Sequence, residues 1–158
     1  MRRLILLLAI ASLAVLAAAG FAFAASNEKF EADLAGGNEV PPVATGAAGE
    51  AEFESRNGAL DYKLEAEEIE NVVAGHIHLG AAGVNGPVVV NLISDEACEF
   101  DRDEVECEGI ITEADLVNDL AGQPLDDLLD AMRSGNTYTN VHTVQNPGGE
   151  IRGQNFLD

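Results

Sequence analysis

Three histidines are the residues of this chain best suited to chemistry. His76 and His78 lie in the run Ala-Gly-His-Ile-His-Leu-Gly at residues 74–80, and His142 lies in the strand-like run 138–143. Successive side chains of a β-strand point to opposite faces, so His76 and His78 share one face. If the two runs are neighbouring strands of one sheet, His142 can join them. The spacing predicts a metal site of His76, His78 and His142, open on one side and suited to Cu or Zn.

The same three histidines have a purely structural alternative. Their ring nitrogens can hydrogen-bond backbone groups and carboxylates and so fix the glycine-rich loop 80–86 against the sheet. Four further polar side chains can join that network: Tyr138, Asn140, Arg152 and Gln154. A His-x-His pair is by itself a weak signal, so coordination and hydrogen bonding both stay open. Arg152, among so many acids, is expected to pair with a surface carboxylate and to contribute less than about 1 kcal/mol.

Other reaction classes have little support in the sequence. None of the five serines lies in a Gly-x-Ser-x-Gly nucleophile motif. The loop 80–86 is followed by the strand-like run 87–92 rather than by a helix, which argues against a phosphate-binding loop. No catalytic residue is therefore assigned. Because metal binding needs neutral imidazole, affinity at the three histidines is expected to fall as the pH drops through about 6.

Residues 1–25 have the pattern of a secretory signal peptide. Arg2 and Arg3 precede a long uncharged apolar run, and residues 22–24 fit the small-x-small pattern that precedes a signal-peptidase cut. An uncleaved membrane anchor is the alternative, because the run is long enough to span a bilayer. In both cases residues 26–158 are expected to be secreted or at the cell surface, with membrane contact only if the segment stays uncleaved.

Residues 26–158 have the usual size of one domain, and they are strongly acidic. Without Arg2 and Arg3, six of the chain's 8 basic residues remain against all 28 acidic residues, which leaves a formal net charge of −22. Such a field repels nucleic acid and anionic membrane surfaces and favours cations or basic partners. The expected partner is a protein, in the extracellular matrix or on a cell surface, and not a nucleic acid.

Cys98 and Cys107 are the chain's two cysteines, and an acidic loop separates them. In an exported protein such a pair most simply forms one disulfide. A two-thiolate metal site is the rival interpretation. It has little support, because the pair lacks the Cys-x-x-Cys spacing and no histidine lies near it in sequence.

Alternation with a period of two predicts an antiparallel all-β fold. Two alternating runs flank Asn57-Gly58, a strong hairpin signal because both residues tolerate positive φ. A second hairpin is expected at 147–149. The proline-rich segment 39–43 is expected to cross between sheets, and short helices are expected after Thr112 and Pro124. Seven or more short strands with one or two short helices predict an antiparallel β-sandwich, Ig-like or superoxide dismutase-like.

The chain resembles the chordin-type family of domains, usually called CHRD. The runs that carry the resemblance occur in one order between Phe30 and Phe156: 39–43, 74–80, 86–90, 111–116, 140–143 and 148–154. The resemblance implies an extracellular or cell-surface β-sandwich at residues 26–158. In animals such domains occur in chordin, a secreted antagonist of growth factors. The cysteine-rich modules that accompany the domain there are not found in this sequence, so growth-factor binding is not carried over.

A weaker resemblance connects the histidine strand to copper/zinc superoxide dismutase. The metal strand of that sandwich also carries a His-x-His pair, matched here by His76 and His78, and His142 can stand for a ligand from a later strand. The bimetallic site of that enzyme needs more histidines than the three in this chain. The prediction is therefore an extracellular binding or structural module with a three-histidine metal site, and the alternative is a copper-dependent redox enzyme.

Overall fold

A computed structural model describes residues 27–158, and the predicted signal segment 1–25 lies outside the described residues. Within them the chain forms ten β-strands, one α-helix and three 3-10 helices. The strands are β1 Lys29–Ala35, β2 Ala48–Arg56, β3 Ala59–Glu67, β4 Val72–Leu79, β5 Val88–Asn91, β6 Cys98–Phe100, β7 Glu104–Ile111, β8 Thr137–Thr143, β9 Ile151–Gln154 and β10 Phe156–Leu157. The helix α1 is Leu125–Arg133, and the 3-10 helices are Gly36–Asn38, Glu113–Asp115 and Asn118–Leu120.

The strands form one curled antiparallel sheet. Their order is β5-β4-β8-β9-β1-β2-β3-β7-β6, and β10 pairs with β1. Although β4 and β3 are distant in that order, a Cβ atom added to Gly75 of β4 would lie 3.3 Å from the Leu64 side chain of β3. The two halves of the sheet therefore face each other across one apolar core. The prediction of an antiparallel all-β fold is confirmed, and the two layers of the predicted sandwich are the two halves of this sheet.

The two predicted hairpins are both present. Strands β2 and β3 pair along their whole length, and Asn57 and Gly58 between them have φ values of 53° and 80°. Both residues thus adopt the positive φ that a tight hairpin turn requires. Strands β8 and β9 pair antiparallel across the turn at 147–149. The pairing of these neighbouring strands, and the polar face that they turn outward, are predictable from the local sequence pattern.

The predicted helices are confirmed as well. The 3-10 helix Glu113–Asp115 begins with a capping box, in which the Thr112 hydroxyl accepts from the backbone amide of Ala114. Helix α1 follows Pro124 and buries one apolar face against the core, formed by Leu125, Leu128, Leu129 and Met132. No helix in residues 27–158 is long and apolar enough to cross a membrane.

Cys98 and Cys107 form a disulfide between the neighbouring strands β6 and β7. The predicted disulfide is confirmed. The rival two-thiolate metal site is wrong, because the two sulfur atoms are bonded to each other and no histidine belongs to this end of the sheet. The bond fixes β6, a short edge strand whose residues are otherwise half-buried or exposed.

Removing this disulfide is expected to lower the free energy of unfolding by about 2–3 kcal/mol, the usual effect of closing a short loop in the unfolded chain. The test is urea unfolding of the Cys98→Ala/Cys107→Ala protein beside the oxidised and the reduced wild type. The reduced wild type should behave like the double variant. Equal midpoints for the double variant and the oxidised protein would show that the bridge contributes no stability.

Strand β8 differs from the other strands because both of its faces are covered. All seven residues of Thr137–Thr143 are buried, whereas exposed and buried residues alternate in β1. Part of the cover is the segment 39–43. The prediction that this segment crosses between sheets is wrong, because the flanking strands β1 and β2 are antiparallel neighbours. The segment instead packs over the outward face, where the Asn85 side chain donates a hydrogen bond to the Val40 carbonyl.

Candidate metal centre

The outward face of β4, β8 and β9 is a compact array of polar side chains. The strand register places His76 of β4 opposite Asn140 of β8, and Asn140 opposite Arg152 of β9. Two residues further along β4, on the same face, His78 lies opposite Tyr138. Residues Ile77 and Val141 point to the other face and are fully buried in the core. The alternation predicted from the sequence is therefore confirmed for both histidine strands.

The three histidines meet on this face. Because β4 and β8 are adjacent, His142 lies diagonally across from His76, and the Nδ1 atom of His76 is 3.0 Å from the Nε2 atom of His142. The ring centroids of His76 and His78 are 5.5 Å apart, and those of His78 and His142 are 6.1 Å apart. One ring nitrogen from each histidine lies within 4.8 Å of the other two. In residues 27–158, no cysteine or carboxylate belongs to this group.

Two backbone carbonyls fix which nitrogen of two of the rings carries the proton. His78 Nδ1 lies 2.9 Å from the Gly86 carbonyl oxygen, and His142 Nδ1 lies 3.1 Å from the Pro147 carbonyl oxygen. A carbonyl only accepts hydrogen bonds, so each Nδ1 is the protonated donor and each Nε2 keeps its lone pair. Metal-binding histidines in proteins are commonly held in this way. The two Nε2 atoms are therefore ready to act as ligands.

Glycine at position 86 allows this arrangement. A Cβ atom there would lie 1.5 Å from the Leu79 carbonyl oxygen, so the loop 80–86 approaches the end of β4 more closely than any other residue type permits. That approach brings the Gly86 carbonyl to His78, and the Gly86 amide donates to the Tyr138 hydroxyl at 3.2 Å. The Tyr138 ring also stacks on the His78 ring at 4.7 Å. The loop and the aromatic stack hold His78 in one orientation.

Burial keeps the three imidazoles neutral. His78 and His142 are buried and His76 is half-buried, and each loses hydration that would stabilise a charged ring. The pKa of His76 is lowered to about 4, first by burial and then by the positive charge that His142 and His78 would carry. Burial likewise lowers the pKa of His78 and of His142. Protons therefore compete with a metal ion for the ring nitrogens only below the pH of about 6 that is expected for unperturbed histidine.

These lowered pKa values predict that the metal-free protein loses stability in mild acid. The unfolded chain takes up protons as the pH falls through 6.5, whereas folded His76 does so only near 4. The His76 contribution is thus complete above 6.5 and is lost as the pH falls toward 4, by an amount on the order of 3 kcal/mol. Urea unfolding between pH 7.5 and 4.5 measures it. The His76→Gln protein should show a weaker pH dependence, and identical slopes would contradict this account.

Arg152 is not the surface ion-pair partner that the sequence predicts. It is only 2% exposed, and no carboxylate in residues 27–158 forms a salt bridge with it. Its guanidinium carbon lies 3.3 Å from the centre of the Tyr138 ring, and its nitrogens donate to the Asn85 side chain and the Val84 carbonyl, each at 2.9 Å. The planar guanidinium suits stacking and carbonyl recognition together. The prediction failed because β9 is covered by the loop 80–86.

The predicted structural network around the histidines is therefore present. Gln154 donates to the carbonyls of Gly80 and Gly135 and so holds the end of β4 beside the start of β8. Sequence reasoning missed Asn85, which contacts Arg152, and Glu39, which is only 5% exposed. Burial raises the pKa of this carboxyl group, and nearby Arg152 and Asn140 oppose the rise. The only sequence signal for Glu39 was its place at the head of the segment 39–43.

Comparison with known proteins identifies the domain but not a relative. Residues 30–155 match the family model described as the CHRD domain. No curated protein and no solved structure matches the chain. The matched region contains all three histidines and the polar network around them. The candidate metal centre therefore lies inside the family domain.

Proposed function

This chain belongs to the CHRD domain family, and from this premise we propose that it is an exported binding module whose three histidines hold one Zn(II) or Cu(II) ion. The observation that carries the proposal is the convergence of three imidazoles from two strands, two of which have their Nδ1 protons fixed by backbone carbonyls. Coordination and the structural network are compatible, because the ligand atoms are the nitrogens that the loops leave free.

The spacing of the nitrogens supports an ion of this kind. Histidine nitrogens bind Zn(II) at about 2.0–2.1 Å, which places two ligands of a tetrahedral site about 3.3 Å apart. The closest pair here is 3.0 Å apart, and all three ligand atoms lie within 4.8 Å of one another. Small rotations of the rings would bring the three nitrogens to a common ion. The metal would then replace the hydrogen bond between His76 and His142.

Export and the nature of the partner are supported by other features. The Cys98–Cys107 disulfide suits an oxidising compartment, and residues 1–25 have the pattern of a secretory signal. The formal net charge of −22 for residues 26–158 follows from six basic and 28 acidic residues and disfavours nucleic acid. It favours a protein or matrix partner that carries positive charge. The module would bind such a partner outside the cell.

The decisive experiment is a metal titration. The protein is purified from metal-free medium, and Zn(II) and Cu(II) are added separately while heat release and melting temperature are recorded. We expect one ion per chain and a rise in melting temperature. The absence of both binding heat and a rise in melting temperature, or several weak sites that follow the acidic side chains, would contradict the proposal. Superoxide consumption by the copper-loaded protein would favour the redox enzyme, and binding without turnover would favour the module.

A further inference from the structure

Three buried side-chain atoms have no hydrogen-bond partner in residues 27–158: Glu39 Oε1, His78 Nε2 and Asn140 Oδ1. Their residues are 5%, 8% and 2% exposed, respectively. Buried polar atoms are nearly always paired, so several orphaned atoms in one place need an explanation such as a bound ion or water. All three belong to the covered outward face. Two of them, His78 Nε2 and Asn140 Oδ1, belong to the histidine array and point to an occupant there.

Asn140 occupies the centre of the histidine array. It lies directly opposite His76, two residues before His142 on the same face of β8, and diagonally across from His78. Side chains in these relations are near neighbours in an antiparallel sheet. The Asn140 amide is also close enough to both neighbours to oppose the effect of burial, which lowers the pKa of His78 and raises the pKa of Glu39.

Glu39 determines which way the Asn140 amide points. A Cβ atom on Gly149 would lie 2.3 Å from Glu39 Oε1 and 2.8 Å from Asn140 Nδ2, so the carboxylate and the amide nitrogen both lie beside Gly149. The reversed amide would place two acceptor oxygens together. With its nitrogen toward Glu39, Asn140 turns Oδ1 toward the histidines. Because Gly149 has no side chain, there is room for both groups beside it.

The occupant must accept electron density from several atoms at once. His78 Nε2 and Asn140 Oδ1 are acceptors without a donor, and His142 Nε2 is an acceptor whose partner is the Nδ1 atom of His76. A water molecule can donate to the two orphaned atoms, whereas a divalent cation can bind them together with the two nitrogens of the His76–His142 pair, whose hydrogen bond it replaces. A cation therefore accounts for the orphaned atoms and for the convergence of the three imidazoles, and a water molecule accounts for the orphaned atoms alone.

We propose that Asn140 Oδ1 is the fourth ligand of the bound ion and that Glu39 is the positioning residue that aims it. This inference rests on the proposed three-histidine site and extends it to a donor set of three nitrogens and one oxygen. Four protein ligands leave no open coordination position, which is typical of structural rather than catalytic zinc sites. The ion would thus join β4, β8 and the loops over them.

Zn(II) affinity of Asn140 variants tests the fourth ligand. Asn140→Ala should lower the affinity by about 100-fold or more, because loss of a direct ligand should exceed the effect of losing a group that supports a metal ligand. Asn140→Asp supplies a carboxylate oxygen at the same position and should restore tight binding. Asn91→Ala is the matched control, because Asn91 faces His76 from the opposite neighbouring strand but is exposed. It should bind like the wild type.

The outcomes separate the two proposals. If the wild type binds one Zn(II) and Asn140→Ala binds it equally well, the fourth ligand is wrong and the three-histidine site stands. Failure of Asn140→Asp to restore affinity, with an unchanged melting temperature of the metal-free protein, would assign Asn140 a packing role and overturn the inference. If the wild type binds neither Zn(II) nor Cu(II), both proposals fail.

A double variant tests the positioning role of Glu39. Glu39→Gln should weaken Zn(II) binding several-fold when residue 140 is asparagine, because the amide is no longer held in one orientation. In the Asn140→Asp background the same change should cause no loss, since both carboxylate oxygens can bind the ion whichever way the group is turned. Equal losses in the two backgrounds would contradict the role, because a merely structural effect of Glu39 would not depend on residue 140.

Discussion

Replacing His142 by asparagine is expected to lower Zn(II) affinity by more than about 100-fold while leaving the metal-free fold intact. The asparagine amide can occupy the place of the imidazole Nδ1 and keep the hydrogen bond to the Pro147 carbonyl, now 3.1 Å from the ring. It has no counterpart of Nε2, the atom that faces His76. Loss of a direct ligand should exceed the 10- to 100-fold effect of losing a supporting group.

The same design applies to His78, whose Nδ1 contacts the Gly86 carbonyl at 2.9 Å. His78→Asn should keep that contact and lose the metal, whereas His78→Ala should lose both. The measurements are calorimetric titration with Zn(II) and melting of the metal-free protein. At a free Zn(II) concentration 100 times the wild-type dissociation constant, the wild type should gain about 2.7 kcal/mol of stability and either asparagine variant far less.

This pair of variants separates coordination from structural hydrogen bonding. If the asparagine variants bind Zn(II) like the wild type, the histidines are only members of the polar network. If they lose binding and also melt far below the wild type without metal, the asparagine does not reproduce the loop contact. The asparagine variants then carry the same information as the alanine variant.

Replacing Gly86 by alanine is expected to destabilise the protein by about 3 kcal/mol or more, a large effect for one methyl group. The new Cβ would lie 1.5 Å from the Leu79 carbonyl oxygen and 2.7 Å from its carbonyl carbon, and both atoms belong to the backbone of β4. Neither can turn aside as a side chain would. The loop 80–86 must therefore move away from the sheet.

The displacement should also reach the candidate metal centre. Gly86 provides the carbonyl that holds His78 and the amide that donates to Tyr138. We expect the Gly86→Ala protein to bind Zn(II) more weakly in addition to melting about 10 °C or more below the wild type. Urea unfolding and the zinc titration measure the two effects on the same sample.

Gly148→Ala is the matched control for this prediction. It adds the same methyl group to the loop that covers His142, at a position where nothing lies within 4 Å of the new atom. Its stability should remain within about 0.5 kcal/mol of the wild type. Equal stabilities for the Gly86→Ala and Gly148→Ala proteins would mean that the loop 80–86 is free to shift, and the account of how His78 is held would be wrong.

The local sequence determined the strands and what each strand shows on its two faces. Alternation placed His76 and His78 together and Ile77 on the opposite face, and Asn57-Gly58 specified the hairpin between β2 and β3. These features were predictable because side-chain direction in a strand has a period of two and a tight turn needs positive φ. Both depend on residues that are neighbours in the chain.

The tertiary structure alone decided what the outward face became. His142 meets His76 at a sequence separation of 66 only because β4 and β8 are adjacent in the sheet. A sequence pattern assigns Arg152 and Glu39 to the solvent-exposed surface. In the fold, loops cover both side chains and bury them. Strand order and loop cover follow from hydrogen bonds and packing between distant segments. No local pattern of hydrophobic and polar residues encodes them.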